Sequence, residues 1–147
     1  MNHLLRTAEE RRREIQLNAD RMGIDDAYIS DLVETFYARV RADADLGPIF
    51  EKEIGDTWAP HLARMKDFWA SVALNAGRYT GKPVPAHQKL TGVDAAHFQT
   101  WLSLFRQTLE DTAPTAEAVP YFMERAERIA SSLQLAMFGL PNLPPRN

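Results

Sequence analysis

Several side chains that can bind a metal or donate a hydrogen bond lie on otherwise apolar, helix-like stretches of this sequence. They are Tyr37, His61, His87, His97 and Trp101. A neutral histidine can ligate a metal through one ring nitrogen, and buried tyrosine O–H and tryptophan N–H groups normally need a hydrogen-bond partner. The sequence offers few obvious intrahelical partners for Tyr37 and Trp101, and a polar ligand bound inside the core would serve both.

His87 is the most informative of these residues because of the short segment that carries it. The segment, residues 81–90, contains Pro83 and Pro85 and precedes a long apolar helix. Isolated helices shorter than roughly 12–15 residues are marginal in water, so the segment needs an anchor. A bond from His87 to the metal of a cofactor would provide one. His97, which precedes Phe98 on an apolar helix face, is the rival ligand.

The spacing between His61 and His87 predicts that the two rings face each other. A helix from His61 to Leu74 rises roughly 20 Å, and the Gly- and Pro-rich loop over residues 75–85 can bring the chain back alongside it. A flat, apolar cofactor would fill the slot between the histidines. The expected apolar walls are Phe50, Met65, Phe68, Phe98, Leu102 and Phe105.

Composition narrows the class of protein. The chain has 147 residues, 45% hydrophobic and 25% charged, with a net charge of −3. These values predict one globular domain over residues 1–147 and give no indication of a nucleic-acid or anionic-membrane partner. Cysteine is absent, which excludes disulfides, thiolate metal sites and iron–sulfur clusters. With no membrane-spanning run and no apolar secretion signal, the expected location is cytoplasmic.

Helical periodicity dominates the chain and strand signals are nearly absent, so the predicted fold class is all-α. Asp25 and Asp94 are the expected N-caps of two long helices, and Gly139 is expected to end the last one. A break is expected near Gly47 and Pro48. The predicted helices cover residues 4–18, 25–41, about 44–50, 57–74, a short piece around residue 87, a long stretch after residue 94, and 115–138. Residues 139–147 are expected to form a flexible tail.

An ordered set of fragments in this sequence resembles the group III truncated haemoglobins. Each fragment is weak alone, but their order and spacing over about residues 25–138 are specific. The paired-glycine motifs of truncated haemoglobin groups I and II are missing, which agrees with group III. The fragments are Phe36-Tyr37-Ala38-Arg39-Val40-Arg41, Leu46-Gly47-Pro48-Ile49-Phe50, Trp58-Ala59-Pro60-His61-Leu62 with Met65 and Phe68-Trp69, Gly77-Arg78-Tyr79, Ala86-His87, and His97-Phe98 with Trp101-Leu102-x-Leu104-Phe105.

The resemblance implies a globin-like, two-over-two helical sandwich around one haem b, with residues 1–20 as an additional N-terminal helix. By position, His87 matches the proximal iron ligand, and Tyr37, His61 and Trp101 match the distal pocket. Phe50 matches the phenylalanine on the haem face, and Arg64 matches a propionate partner. The remaining residues implied to contact the cofactor are Met65, Phe68, Arg78, Tyr79, Phe98 and Phe105.

Three functional hypotheses follow. The first is a haem protein that binds O2, NO or CO, and carries out redox chemistry on NO, O2 or peroxide. Such a nitric oxide dioxygenase or peroxidase-like activity would need a separate reductase, because the chain lacks a dinucleotide-binding glycine motif. The second is an oxygen-storage or haem-based sensing module without turnover. The third is a cofactor-free helical interaction domain.

Overall fold

The computed structural model describes residues 7–79, 81, 83–88 and 90–139, with Val84 described by its backbone alone. Every regular element in these ranges is a helix, as the periodicity predicts. The elements are α1 (Ala8–Arg21), α2 (Asp26–Ala42), α3 (Leu46–Ile54), α4 (Trp58–Leu74), α5 (Pro83–Gln88), α6 (Ala95–Thr112) and α7 (Ala118–Phe138).

Two helix pairs stack to form the molecule. α2 packs against α4, α6 packs against α7, and α2 crosses α6 to join the pairs. α3 packs on α2, the short α5 lies on α7, and α1 lies on α4. The predicted two-over-two globin-like sandwich is therefore confirmed, and α3 and α5 close its open sides.

Helical spacing of large apolar residues explains why the pairs stack. The buried face of α2 places an apolar group at each turn, the pattern of a core-facing helix. At the centre, Phe105 stacks between Trp69 and Trp101, with ring centroids 4.9 and 5.6 Å away. Offset stacking of aromatic rings adds to the free energy gained by burial. The buried face of α2 comprises Ile29, Leu32, Val33, Phe36, Tyr37 and Val40.

Both predicted N-caps are confirmed. The Asp25 carboxylate accepts a hydrogen bond from the Tyr28 backbone N–H at 2.8 Å. Asp94 accepts from the backbone N–H groups of Ala96 and His97. Carboxylates at these positions satisfy N–H groups that have no partner within the helix. At the other end of the chain, Gly139 terminates α7 with a φ of 81°, which favours glycine.

Several predicted boundaries were wrong, including the end of the third helix, which is Ile54 instead of residue 50. α1 extends to Arg21 instead of residue 18. α7 begins at Ala118 instead of residue 115, because the Thr115 hydroxyl donates a hydrogen bond to the Met22 carbonyl at 2.8 Å. Gly47 and Pro48 do not break α3, since a proline in the first turn gives up an N–H that has no helical partner. Gly47 has a packing role, because a Cβ there would lie 2.6 Å from the Arg41 carbonyl oxygen.

Two further sequence expectations fall partly outside the described residues: the start of the N-terminal helix and the tail beyond residue 139. Within the described part of the chain, no helix combines the length and apolarity that a membrane span requires.

Candidate functional site

A cavity of about 360 Å³ lies between the two helix pairs, and α3 and α5 contribute to its lining. This volume falls in the usual range for small-molecule sites. Its lining is mostly apolar, with a few polar groups from separate helices. The lining residues are Tyr37, Leu46, Ile49, Phe50, Glu53, Ile54, Thr57, Pro60, His61, Arg64, Met65, Phe68, Trp69, Tyr79, Pro83, Ala86, His87, Leu90, Val93, His97, Phe98, Trp101, Ile129, Ala130 and Leu133.

The fold brings most of the sequence-predicted site residues to this cavity. Two predicted wall residues are not among the lining side chains: Leu102 and Phe105, of which Phe105 is 1% exposed in the aromatic stack. Arg78 does not line the cavity either. The predicted residues that do line it are Tyr37, Phe50, His61, Arg64, Met65, Phe68, Tyr79, His87, Phe98 and Trp101.

His87 is oriented by a backbone carbonyl of its own short helix. Its Nδ1 lies 2.6 Å from the Pro83 carbonyl oxygen. A carbonyl can only accept, so Nδ1 carries the proton and donates it, which leaves Nε2 with a free lone pair. A histidine whose second nitrogen is held in this way is a pre-oriented metal ligand.

His61 presents a buried nitrogen that has no partner. Its Nε2 is excluded from solvent and makes no hydrogen bond, although the ring packs edge-on against Tyr37 at 5.4 Å and Trp58 at 5.6 Å. Burial lowers the pKa of His61, and the nearby positive charge of Arg64 lowers it further. A buried polar atom without a partner is costly and indicates a group that binds there.

The Tyr37 hydroxyl is held as a donor. The residue is 4% exposed, and its ring contacts Phe36, Phe50 and His61. Burial raises the pKa of the Tyr37 phenol far above its ordinary value, and a hydrogen bond with Trp101 offsets only part of this rise. The phenol therefore keeps its proton at neutral pH and can donate toward the cavity.

His97, the rival ligand, has a structural task. Its Nδ1 accepts a hydrogen bond from the Asp94 backbone N–H at 3.0 Å, which completes a capping box at the start of α6. Because Nδ1 accepts here, the proton of the neutral ring lies on Nε2, so neither nitrogen of His97 offers a free lone pair to a metal. This arrangement favours His87 over His97 as the metal ligand, although both line the cavity.

The predicted basic residues separate into two environments. Arg64 is exposed and lines the cavity, where it could meet an acidic edge of a ligand. Arg78 instead donates two hydrogen bonds to the Asp26 carboxylate, at 2.6 and 3.1 Å. Sequence reasoning did not foresee this pairing, because the partners are 52 positions apart in the chain.

Some lining residues were missed from the sequence. Ile129 and Leu133 were expected to face the core, but their place in the cavity wall depends on α5 lying across α7. Glu53 and Thr57 also contribute to the lining, and both are exposed. The helical spacing of apolar residues predicted that Ile129 and Leu133 are buried. Nothing in the sequence marked Glu53 and Thr57 as residues of a cavity wall.

The residues of the cavity fit a flat apolar cofactor that carries a metal. One histidine offers an oriented nitrogen, and a second buried nitrogen lacks a partner. The intervening walls are apolar rings and aliphatic chains, while Arg64 provides a positive charge for an acidic edge. This combination of one protein ligand, apolar walls and hydrogen-bond donors is typical of a haem site.

Comparison with known proteins agrees with the geometry. Residues 19–135 match the family model described as bacterial-like globin. The chain is 37% identical over 113 residues to a group 3 truncated haemoglobin of Campylobacter jejuni, covering 75% of this chain and 88% of that protein. The crystal structure of group III truncated haemoglobin from Campylobacter jejuni superposes with a TM-score of 0.74 at 36% identity, covering 78% of this chain and 92% of that one.

The chain therefore belongs to the bacterial-like globin family, and its resemblance to group III truncated haemoglobins is confirmed. Membership of the globin family implies that the protein binds haem and small diatomic ligands.

Proposed function

We propose that this protein binds haem b through His87 and uses the cavity for redox chemistry on a small diatomic ligand or peroxide. When bound, haem supplies an iron centre at which O2, NO or CO can coordinate and exchange electrons. The observation that carries the proposal is the His87 ring, whose Nδ1–H is held by the Pro83 carbonyl and whose Nε2 is left for a metal.

The groups assigned to the opposite side of the cofactor are hydrogen-bond donors and a neutral imidazole. Tyr37 keeps its proton because burial raises its pKa, and Trp101 carries an indole N–H beside it. Donors fixed in a water-poor site stabilise negative charge that develops on a ligand. The Trp101 N–H donates to the Tyr37 hydroxyl oxygen, which leaves the Tyr37 O–H as the free donor. This donor, with His61 at hand to accept or relay a proton, suits ligand activation more than reversible carriage.

The remaining cavity residues hold and shield the cofactor. Phe50, Met65, Phe68 and Phe98 supply apolar contacts, and Arg64 supplies a cation for a propionate. Tyr79, which also lines the cavity, is a second propionate candidate. We further propose that electrons come from a separate reductase, since the sequence contains no dinucleotide-binding glycine motif.

Hemin titration of the purified chain tests the cofactor and its ligand together. We expect a Soret band at one hemin per chain and a five-coordinate ferrous spectrum that His87→Ala abolishes. His97→Gln is the matched control, because glutamine at this position of a capping box preserves the cap. If His97→Gln removes the ligated spectrum and His87→Ala does not, the assignment of His87 is wrong.

Ligand consumption tests the proposed chemistry. With an artificial electron donor present, the haem-loaded protein is expected to consume NO in the presence of O2, or peroxide, over many turnovers. Binding without turnover under both conditions would instead indicate a storage or sensing module. A chain that gives no Soret band with hemin would point to a cofactor-free interaction domain.

A further inference from the structure

The backbone that leads from α4 to the His87 helix is fastened to a single side chain of α4. The Ser71 hydroxyl oxygen accepts hydrogen bonds from the backbone N–H groups of Arg78 and Tyr79, at 2.8 and 2.9 Å. Both amides lie in a stretch without regular structure, where backbone donors must find partners outside a helix. One hydroxyl therefore fixes two consecutive residues of this stretch against α4.

The side chain of Arg78 strengthens the attachment from another direction. Its guanidinium donates to both oxygens of Asp26, the first residue of α2. A bidentate pair fixes orientation as well as distance. The pKa of Asp26 lies below its ordinary value because of this hydrogen bond to Arg78, which agrees with a carboxylate committed to the pair.

Tyr79 completes the attachment through its ring. The ring packs edge-on against Phe68 of α4, with centroids 5.1 Å apart. Gly81 is the complementary position, because a Cβ there would overlap the Tyr79 hydroxyl group. The stretch is thus fixed by its backbone, by a guanidinium and by a ring within two consecutive residues.

The helix that follows is too short to set its own position. α5 has six residues, far fewer than an isolated helix needs in water. Its far end is tied to α7 by a hydrogen bond from Gln88 Nε2 to the Ala136 carbonyl at 3.2 Å. Its near end begins at Pro83, the residue whose carbonyl orients the His87 ring. Tyr79, four positions upstream of Pro83, is hydrogen-bonded to Ser71 of α4.

We propose that Ser71 is a positioning residue for His87, and that Arg78 serves with Asp26 as a strut for the same segment instead of contacting the cofactor. The inference rests on the proposed function in that His87 is taken as the iron ligand. Ser71 fixes Arg78 and Tyr79, these set where Pro83 begins α5, and the Pro83 carbonyl then sets the direction of the His87 ring. This assignment differs from the sequence-based expectation that Arg78 contacts the cofactor.

The first test compares Ser71→Ala, Ser71→Thr and Ser103→Ala. Threonine keeps the hydroxyl, and Ser103 is an exposed α6 serine that serves as the matched control. In the haem-free chain, Ser71→Ala is expected to speed hydrogen exchange at the Arg78 and Tyr79 amides by about tenfold. In the ferrous haem-loaded protein, it is expected to shift or broaden the iron–histidine stretching band in the resonance Raman spectrum. Ser71→Thr and Ser103→Ala should match the wild type in both measurements.

The second test is a double-mutant cycle with Asp26→Asn and Arg78→Gln. If Arg78 and Asp26 act as a pair, each single variant should speed hemin loss by the same factor, about two- to fivefold. The double variant should lose hemin no faster than either single variant. Faster hemin loss in Arg78→Gln with no change in Asp26→Asn would assign Arg78 to the cofactor and overturn the strut.

The two proposals fail in different ways. A wild-type chain that binds no hemin overturns the proposed function. A wild-type chain that binds hemin through His87, with Ser71→Ala unchanged in amide exchange and in the iron–histidine band, overturns the positioning role of Ser71 alone.

Discussion

Burial decides what Tyr37 can do at the cavity. A phenol in this environment has a raised pKa, so the hydroxyl stays protonated and acts as a donor across the physiological pH range. The same burial leaves His61 neutral by lowering its pKa. One physical cause therefore yields a hydrogen-bond donor and a potential proton acceptor side by side.

Replacing Tyr37 by phenylalanine should speed O2 release from the haem-loaded protein by about tenfold or more, since a hydrogen bond to a charged or partly charged group contributes about 1.5–3 kcal/mol. Stopped-flow measurement of the dissociation rate checks this expectation. Tyr28→Phe is the matched control, because the Tyr28 hydroxyl pairs with Thr112 at 3.0 Å and does not line the cavity. An unchanged rate in Tyr37→Phe would assign that residue to packing alone.

His61 should lower the stability of the haem-free protein, and more so in acid. Its folded pKa is below the unfolded value near 6.5, so the folded state binds fewer protons and the free energy of unfolding falls as pH drops through about 6.5. His61→Leu removes both this titration and the unpaired Nε2. We expect it to raise the free energy of unfolding by about 1 kcal/mol at pH 8 and by more at pH 5.5.

Urea unfolding of the haem-free chain at the two pH values measures this effect. His61→Gln is the companion variant, since it removes the titrating ring but keeps a polar group in the same place. If His61→Leu is no more stable than the wild type at either pH, then the unpaired nitrogen carries no energetic cost.

At the scale of elements, α1 shows how little of a helix need be buried for it to dock. Ala19 is its only fully buried residue in the described part of the chain, while Leu17 is 64% exposed. Its first turn is capped by the Thr7 hydroxyl, which accepts from the Glu10 N–H at 3.0 Å. The helix is therefore held at its C-terminal end, where Met22 and Ile24 enter the core.

A pair of substitutions on α1 tests whether the helix docks through Ala19 and not through Leu17. Ala19→Glu should lower the free energy of unfolding by about 3 kcal/mol or more, because it places an unpaired charge in a closed site. Leu17→Glu should change the free energy of unfolding by less than about 0.5 kcal/mol, since that position faces solvent. Chemical denaturation followed by circular dichroism provides both values. Equal effects would mean that α1 docks through a different face.

At the scale of the whole molecule, the cavity makes stability depend on the cofactor. A chain with about 360 Å³ of space between its helix pairs forgoes the contacts that would fill it. A ligand that binds only the folded state restores those contacts and shifts the unfolding equilibrium. We therefore expect the stability of the fold to depend on occupation of its cavity.

Hemin at 100 times its dissociation constant should raise the free energy of unfolding by about 2.7 kcal/mol. Thermal unfolding across a hemin series measures this shift, which should continue to grow with concentration. Val119→Ala is the control, because that residue packs on the core and does not line the cavity. It should lower the baseline stability while leaving the hemin-dependent increment unchanged. If hemin does not raise the free energy of unfolding of the wild type, stability does not depend on occupation of the cavity.

The sequence predicted the fold class and most helix limits because these depend on local information. Apolar spacing marks a buried face, and Asp25 and Asp94 mark helix starts by chemistry that acts within one turn. The limit near Thr115 was wrong because it depends on a distant contact, the hydrogen bond to the Met22 carbonyl. The break expected near Gly47 and Pro48 was wrong for a local reason, because a proline in the first turn of a helix costs no helical hydrogen bond.

By itself, then, the sequence determined which side chains could serve the site: Tyr37, His61, His87 and Trp101 are defined by residue type, spacing and resemblance. Only the tertiary structure decided that Arg78 pairs with Asp26, 52 positions away in the chain, and that the helices bring Tyr37, His61 and His87 to one cavity. The physical reason is that hydrogen bonding and charge pairing act over a few ångströms. Which groups come within that distance depends on how the helices pack, and no pattern along the chain specifies it.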